Sequence, residues 1–314
     1  MIEQRNPLGY YIGHVNDIQH RIKASSGGIG TMLQKHLLSS GKYGTSITFC
    51  FNAEKCMYEA KLIHSAEEVN ICGSIYQDID ITQFVSEHTK EITNGIVVSC
   101  PPCQVSAIRN MLNRENIPCF IISFCCSGQT TIDGTWRYYK LLGIKKKNIV
   151  HMQYRGNGWP SGIQIWMRDG SRKFCMNYTD PWKTLHASKL YRPKRCFFCT
   201  FDTSRIADIS LADPWLDKYI QHDNKGNTLF LVNTTEGLGA ILQMQASDLL
   251  SYEETDYAIY CAAQQNNLSK SDRVRYHKKR LQRTQKLTSN PFIHYLFSRN
   301  LFMMGLFQKL QNRL

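Results

Sequence analysis

The chain has 314 residues, 42% of them hydrophobic, and its 38 Lys and Arg residues outnumber its 25 Asp and Glu residues, which gives a net charge of +13. This length suits one large domain or two coupled ones, and twelve cysteines are too few for a small disulfide-stapled domain. The positive charge suits an anionic partner. We expect no nucleic acid partner, because the chain carries no known nucleic-acid-binding module and no basic patch interleaved with aromatic residues.

The N-terminal twenty residues are polar and lack the apolar core of a signal peptide. The longest apolar stretch, 119–126, is far too short to span a bilayer. A cytoplasmic protein is therefore expected. A change of pattern near residue 145 predicts three parts: an N-terminal α/β part (1–145), a second α/β part (146–250) and a basic helical tail (251–314).

The first predicted elements form an α/β unit. Ser25 and Ser26 are placed to cap a helix whose apolar stripe runs from Ile29 to Leu37, and Gly41 ends that helix. The strands predicted in this part are 46–51, 59–64, 95–99 and 119–124. A helix lies between the last two strands, and this strand–helix–strand order predicts a parallel pair.

The pattern after residue 145 favours shorter strands. The Asp169–Gly170 turn lies between two of them and indicates an antiparallel hairpin. The predicted elements are strands at 149–154, 162–167 and 172–176, a helix at 182–190, strands at 208–211 and 228–232, and a helix at 237–245. Helix dominates from about residue 250. The predicted fold class is α/β, with mixed parallel and antiparallel sheets, flanking helices and a helical C-terminal region.

The tail is basic and partly apolar. Residues 269–286 read as a solvated helical face, while 292–314 alternate apolar clusters with Arg299, Lys309 and Arg313. Two placements fit the last segment. The segment either packs on the body of the protein or lies on a membrane surface. We favour packing, because helices that face a protein core are commoner than helices that lie on a membrane.

Four cysteines stand in loop-like settings: Cys103, Cys126, Cys196 and Cys199. Thiolates so placed can complete the four-sulfur shell of an iron–sulfur cluster or a zinc ion. A zinc ion held by two C-x-x-C pairs would use Cys100 and leave Cys126 free. Cys100 and Cys103 also have the spacing of a thioredoxin-type redox pair, but that interpretation leaves the other cysteine sites unexplained.

Two glycine-rich segments are candidate binding sites. The turn Ser26, Gly27 and Gly28 precedes a helix N-terminus and suits a phosphate, although an ordinary helix start has the same pattern. Arg155, in a second glycine-rich turn, can pair with a phosphate or carboxylate. The alternative interpretation is that Arg155 is an exposed arginine in a connecting turn with no ligand.

Seven segments, taken in order, resemble the motifs of one family. They are Ser25-Ser-Gly-Gly28, Gly73-Ser-Ile-Tyr76, Pro102-Cys-Gln104, Cys126-Ser-Gly128, Tyr191-Arg-Pro-Lys-Arg-Cys-Phe-Phe-Cys199, Asp208-Ile-Ser-Leu-Ala-Asp213 with Trp215, and Asn233-Thr-Thr-Glu-Gly237. They are similar to the SSGG, GSKY, PCQ, CHG, LRPSCYDC, DITLGDFW and NT-x-x-G segments of the coenzyme F420 hydrogenase/dehydrogenase β subunit family, which includes bacterial relatives from polysaccharide-synthesis loci. The likeness extends over most of the chain.

The resemblance implies a flavin- and [4Fe–4S]-dependent oxidoreductase. It assigns the cluster to Cys103, Cys126, Cys196 and Cys199. FAD is expected rather than FMN, although a glycine turn binds either phosphate. The remaining implied contacts to the flavin or substrate come from Ser26, Gly27, Gly28, Arg155, Asp208, Asp213 and Asn233. No catalytic residue is assigned, because hydride transfer at a flavin needs no general acid or base.

Three departures from the family pattern bear on partners. The chain has no N-terminal ferredoxin-like run of cysteines, so the electron carrier is expected to be a separate ferredoxin-like protein. Ile75 replaces the lysine of GSKY, which weakens coenzyme F420 as the acceptor, and Ser127 replaces the histidine of CHG. The expected acceptor is a small molecule that the sequence does not name, in a pathway such as polysaccharide biosynthesis. The alternative is a non-enzymatic or structural zinc protein of a glycan-synthesis locus.

Overall fold

Two β-sheets and the helices around them make up the part of the chain that the computed structural model describes, residues 6–313. Residues 1–5 and residue 314 lie outside the described residues. The prediction that the N-terminal twenty residues lack a signal-peptide core therefore falls partly on residues that are not described.

The strands in chain order are β1 (Gly9–Val15), β2 (Thr45–Asn52), β3 (Met57–Ile63), β4 (Ile96–Ser99), β5 (Cys119–Phe124), β6 (Ile149–Gln153), β7 (Gly162–Met167), β8 (Arg172–Met176), β9 (Ile209–Ala212), β10 (Thr228–Val232) and β11 (Leu250–Thr255). The α-helices are α1 (Ile18–Lys23), α2 (Ile29–Ser39), α3 (Ile81–Glu87), α4 (Pro102–Arg114), α5 (Ile132–Leu141), α6 (Trp182–Ala187), α7 (Asp217–His222), α8 (Thr235–Ala246), α9 (Tyr257–Leu268), α10 (Lys270–Thr288), α11 (Pro291–Phe297) and α12 (Leu301–Arg313).

The larger sheet has eight strands in the order β11-β1-β10-β9-β5-β4-β2-β3. The inner pairs β2–β4, β4–β5 and β5–β9 are parallel, and the outer pairs are antiparallel. The predicted parallel pair around α4 is therefore confirmed, as is the predicted α/β class with mixed sheets. Strands from both sides of residue 145 share this sheet, and the proposed division of the chain into three parts stays a prediction.

The smaller sheet contains β6, β7 and β8, all antiparallel. The predicted hairpin is confirmed: β7 and β8 pair through Ile163↔Cys175 and Ile165↔Lys173. Gly170 has φ +82°, a left-handed conformation that glycine adopts without strain, and its N–H donates to the Met167 carbonyl.

Two strands of the large sheet were missed in the sequence. β1 pairs with β10 and with β11, so segments far apart in the chain meet in adjacent strands. Gly13 is required there, because a Cβ atom would lie 2.3 Å from the Ser251 carbonyl oxygen. Such strands are stabilised by partners far away in the chain rather than by a local pattern, and β11 therefore forms where helix was predicted to begin.

The helix α2 was predicted correctly in position but not in its cap. Its apolar residues Ile29, Leu33 and Leu37 are fully buried against the large sheet. The N-cap residue is Gly28 rather than a serine, with φ +81° and no side-chain capping hydrogen bond. Ser25 Oγ instead accepts a hydrogen bond from the Ser74 backbone N–H. The first-turn N–H groups of α2 consequently receive no side-chain cap.

The C-terminal helices pack on the body of the protein. Met304 and Phe307 of α12 are fully buried in an apolar cluster that also contains Tyr138 and Trp182. The packing predicted for this segment is thus confirmed for one face of α12. Within residues 6–313, no helix combines the length and the hydrophobicity needed to cross a bilayer.

A buried guanidinium joins the two sheets. Arg155 follows β6 of the small sheet and is 6% exposed. Its Nη1 donates to Asp213 Oδ2 at 2.7 Å, just after β9 of the large sheet. Its Nη2 donates to the Ser25 carbonyl oxygen at 2.8 Å, and its Nε donates to Ser161 Oγ at 2.9 Å. Every nitrogen of the charged group therefore has an acceptor, as burial of a charge demands.

Loss of the buried Arg155 charge should destabilise the protein more than loss of an exposed salt bridge would. We expect Arg155→Met to lower the free energy of unfolding by about 3–5 kcal/mol, because Asp213 is left buried and unpaired. The double variant Arg155→Met/Asp213→Asn should cost less than the sum of the two single changes, with a coupling of about 1–3 kcal/mol. Urea unfolding of the four proteins measures this cycle, and additive costs would contradict the pairing.

Candidate functional site

A cavity of about 690 Å³ opens at the carboxyl ends of the parallel strands. That volume lies within the range of about 300–1,000 Å³ typical of ligand pockets. Its walls come from five stretches of chain, within residues 24–31, 70–79, 124–129, 211–215 and 263–267. Residues outside these stretches also line it, among them Phe49, Arg155, Tyr178 and Thr228. The location agrees with the general tendency of open α/β sheets to bind ligands beyond their strand ends.

The glycine turn before α2 forms one wall of the cavity. Ser26 and Gly28 line it, followed by Ile29, Gly30 and Thr31 of the first helical turn. This turn has no side-chain cap, so its backbone N–H groups and the positive end of the helix dipole are available to an anion. The structure therefore brings the predicted phosphate-binding turn to a cavity wall.

Arg155 and Asp213 lie at the cavity as well, joined by their ion pair. Proximity of Asp213 raises the pKa of Arg155 against the opposing effect of burial, which keeps the guanidinium charged. Trp215 and Tyr178 line the same region, with their ring centroids 5.6 Å apart. This wall thus offers one fixed cation, one carboxylate and two aromatic rings.

Three of the predicted contact residues lie outside the lining of the cavity. Gly27 is buried in the backbone packing, where a Cβ atom would lie 2.4 Å from the Gly13 carbonyl oxygen. Asp208 Oδ2 accepts hydrogen bonds from Arg109 Nη2 at 2.8 Å and from the Ile121 N–H at 2.7 Å. Asn233 Nδ2 donates to the Ala207 carbonyl oxygen at 3.1 Å. The close packing of Gly27 and the hydrogen bonds of Asp208 and Asn233 give the three residues structural roles, and their contact with a cofactor stays a prediction.

The four predicted cysteine ligands come from three separate segments and approach one another. Burial and, to a smaller extent, three neighbouring thiols raise the pKa of Cys103, at the start of α4, to about 11. Those thiols belong to Cys126, Cys196 and Cys199. Burial also raises the pKa of Cys126, and Cys196 and Cys199 contribute in the same direction. Among the residues 6–313, no three His, Cys, Asp or Glu side chains are close enough to share a single metal ion.

Cys100 has different surroundings. Its side chain is fully buried in an apolar cluster with Val105, Ile108 and Ile121. Burial raises the pKa of its thiol far above the usual range, with a smaller contribution from Cys103. A thioredoxin-type pair needs a thiolate stabilised near neutral pH, which is the opposite shift. Cys126 has Cys196 and Cys199 as neighbours, whereas Cys100 is packed among apolar side chains, and this difference supports Cys126 as the member of the cysteine group.

Cationic side chains surround the cysteine group. Burial lowers the pKa of Arg192, and the thiols of Cys196 and Cys126 partly offset that effect. The Arg192 guanidinium also lies against Gly128, where a Cβ atom would meet its Cζ at 3.1 Å. Lys270, the first residue of α10, donates to the carbonyl oxygens of Cys126 and Phe201. These cations would stabilise negative charge on the thiols.

Cys126 belongs to both features of the site, because it lines the cavity and lies in the cysteine group. The two departures from the family motifs, Ile75 and Ser127, also line the cavity. The residues 70–79 and the end of α9 were not identified from the sequence as parts of the wall. The segment 70–79 has little regular structure. Its Gly73-Ser-Ile-Tyr76 motif was the one sequence feature that could have indicated that this segment lines the cavity.

Comparisons with known proteins agree with this fold. Residues 93–257, more than half of the chain, match the model of a family described as the C terminus of the beta subunit of coenzyme F420 hydrogenase/dehydrogenase. One similar solved structure is a chain of the F420-reducing [NiFe] hydrogenase complex from Methanosarcina barkeri, determined after xenon derivatisation. It superposes with a TM-score of 0.66 at 16% identity and covers 89% of this chain and 95% of its own, which shows a shared fold.

No curated protein sequence matches the chain. The family points to a hydrogenase- or dehydrogenase-type oxidoreductase, and it is the family that the seven sequence motifs indicated. The chain belongs to the coenzyme F420 hydrogenase/dehydrogenase beta subunit family.

Proposed function

We propose that this protein is a cytoplasmic oxidoreductase that depends on a flavin and one [4Fe–4S] cluster and that reduces or oxidises a small molecule. The observation that carries the proposal is the double position of Cys126, at the wall of the cavity and within the group of four cysteines. A flavin in the cavity and a cluster on the cysteines would then be adjacent. Electron transfer between them would need no further carrier within the chain.

The cysteine set fits a cluster by its chemistry. Cys103 and Cys126 have raised pKa values, so both thiols stay protonated in the free protein at neutral pH. Cluster binding would replace those protons, since iron takes thiolate ligands. Arg192 and Lys270 lie beside the group and would offset its remaining negative charge. We therefore propose Cys103, Cys126, Cys196 and Cys199 as the ligands.

The cavity fits a flavin by its size and by its walls. We propose that Ser26, Gly28 and the first-turn N–H groups of α2 hold the flavin phosphate, and that Arg155 and Asp213, which lie next to this turn, contact the same part of the molecule. The volume of about 690 Å³, with walls reaching from α2 to the end of α9, supports FAD over FMN. When bound, the flavin would accept or donate hydride and exchange single electrons with the cluster.

The residues of this chain would bind, orient and shield the reaction. Phe49, Phe124 and Trp215 give the cavity apolar walls, which would exclude water from the reacting atoms. We assign no general acid or base. The replacement of the motif lysine by Ile75, which lines the cavity, supports an acceptor other than coenzyme F420. A role in polysaccharide biosynthesis rests on the sequence resemblance alone.

We propose that electrons are exchanged with a separate acidic carrier of the ferredoxin type. Burial, together with the nearby cations Arg192, Arg280 and Arg273, lowers the pKa of Lys189 to about 8. Such crowding of like charges is costly in the free protein. An acidic partner would relieve it, and Arg192 of this set lies beside the cysteine group, where that partner would have to dock.

The choice between Cys126 and Cys100 can be tested by metal content. After anaerobic purification, Cys126→Ser should lose most of its iron and acid-labile sulfide, while Cys100→Ser should retain both. The matched change at Cys100 controls for the loss of one thiol in the same region. If Cys100→Ser removes the metal and Cys126→Ser retains it, as a zinc site with two C-x-x-C pairs requires, the proposed ligand set is wrong.

The flavin site can be tested with two glycines that flank α2. Gly28 and Gly41 have φ +81° and +70°, so an alanine at either position costs about 1–2 kcal/mol of backbone strain. Only Gly28 lines the cavity; a Cβ atom there would also lie 3.0 Å from Val15 Cγ2, whereas a Cβ atom at Gly41 meets nothing within 4 Å, so thermal unfolding is measured for both variants. We expect Gly28→Ala to lower the flavin content at least tenfold and Gly41→Ala to leave it unchanged. Equal flavin loss in both variants would refute the proposed phosphate site.

The carrier surface can be tested by charge reversal. We expect Arg280→Glu to slow reduction of the protein by a reduced bacterial ferredoxin by about tenfold at low ionic strength, with a weaker dependence on salt than the wild type. The control Lys90→Glu makes the same change of charge at an exposed residue after α3. Stopped-flow absorbance measures both rates. Equal rates for wild type and Arg280→Glu would exclude this surface as the docking site.

A further inference from the structure

The C-terminal helix α12 is apolar on two opposite faces. One face packs on the protein through Met304 and Phe307, which are fully buried. The other exposes Phe302, Leu306 and Leu310, with 72%, 38% and 40% of their surfaces accessible. These three residues are spaced by four, so they form one stripe along the helix. Core packing explains the first face but not the second.

The exposed stripe is accompanied by cations. At about 100° per residue, Lys309 and Arg313 fall on the same face of α12 as Phe302 and Leu306. The neighbouring helix α11 exposes Phe292 by 72% and Tyr295 by 66%. The Arg299 guanidinium, between the two helices, lies 5.9 Å from the centroid of the Tyr295 ring. Large apolar groups and cations thus alternate over this surface.

The charge of this region is one-sided. Residues 273–313 contain ten Lys or Arg residues and no Asp or Glu, so they carry most of the net charge of +13. Cationic helices with exposed aromatic and leucine side chains match the interface of an anionic bilayer, where apolar groups enter the headgroup layer and cations pair with lipid phosphates. The cavity described above takes no lining residue from α11 or α12, so this surface is separate from the redox site.

We propose that the exposed face of α11 and α12 docks the protein on the surface of an anionic lipid bilayer. Phe302, Leu306 and Leu310 enter the headgroup region, and Lys309 and Arg313 pair with its phosphates. The helices lie in the plane of the interface and do not cross it. A helix side is convex, and a bilayer accepts such a surface without the shape complementarity that a protein partner requires.

The test uses the full chain in co-sedimentation with vesicles of phosphatidylcholine and phosphatidylglycerol, and with vesicles of phosphatidylcholine alone. The wild type should bind the first and not the second. Phe302→Ser/Leu306→Ser and, separately, Lys309→Glu/Arg313→Glu should each lower the partition coefficient by about tenfold or more. The matched control is Leu242→Ser, which removes a 49% exposed leucine from helix α8 and should bind like the wild type.

Two outcomes would overturn the proposal. The first is a failure of the vesicle test: the wild-type protein does not bind anionic vesicles, or the variants bind them as well as the wild type does. The other is a wild-type dimer that the Phe302→Ser/Leu306→Ser change dissociates while neither protein binds vesicles, because the face would then be covered by a second copy of the chain. Thermal unfolding and light scattering on every variant separate both outcomes from misfolding.

Discussion

The arrangement of this protein depends on the buried guanidinium of Arg155. The charge is tolerated because its three nitrogens donate to Ser161 Oγ, to Asp213 Oδ2 and to the Ser25 carbonyl oxygen. Those acceptors belong to three different segments: the turn before β7, the end of β9 and the approach to α2. An arginine that lost one of them would carry an uncompensated desolvation cost. The interaction therefore fixes the small sheet, the large sheet and the glycine turn relative to one another.

The same constraint shapes the candidate site. With the Ser25 carbonyl and Asp213 held by one side chain, the glycine turn and the end of β9 lie next to each other at the cavity wall. The loop after β5 closes a further side and brings Cys126 to the wall, where it also meets the cysteine group. The proposed flavin and cluster positions are thus consequences of one set of loops at the carboxyl ends of the parallel strands. The proposed membrane-facing surface of α11 and α12 lies outside this set.

The sequence predicted the elements whose signals are local. The stripe from Ile29 to Leu37, the β4–α4–β5 unit and the Asp169–Gly170 hairpin all have periodicity or turn residues of their own. β1 and β11 were missed because each is stabilised by a strand far away in the chain. In the site, the cysteines could be grouped only through ordered motifs, since three segments supply them. Asp208 and Asn233 fitted the same motifs, yet their polar groups bond to backbone and to Arg109, which no sequence pattern indicated.

The central claim is that one cavity with a flavin adjoins one cysteine-bound cluster. Its most direct test is the iron, acid-labile sulfide and flavin content of the wild-type protein purified without oxygen. We predict about four iron, about four sulfide and about one flavin per chain, in a brown protein. A colourless protein with about one zinc ion per chain and no flavin would contradict the claim.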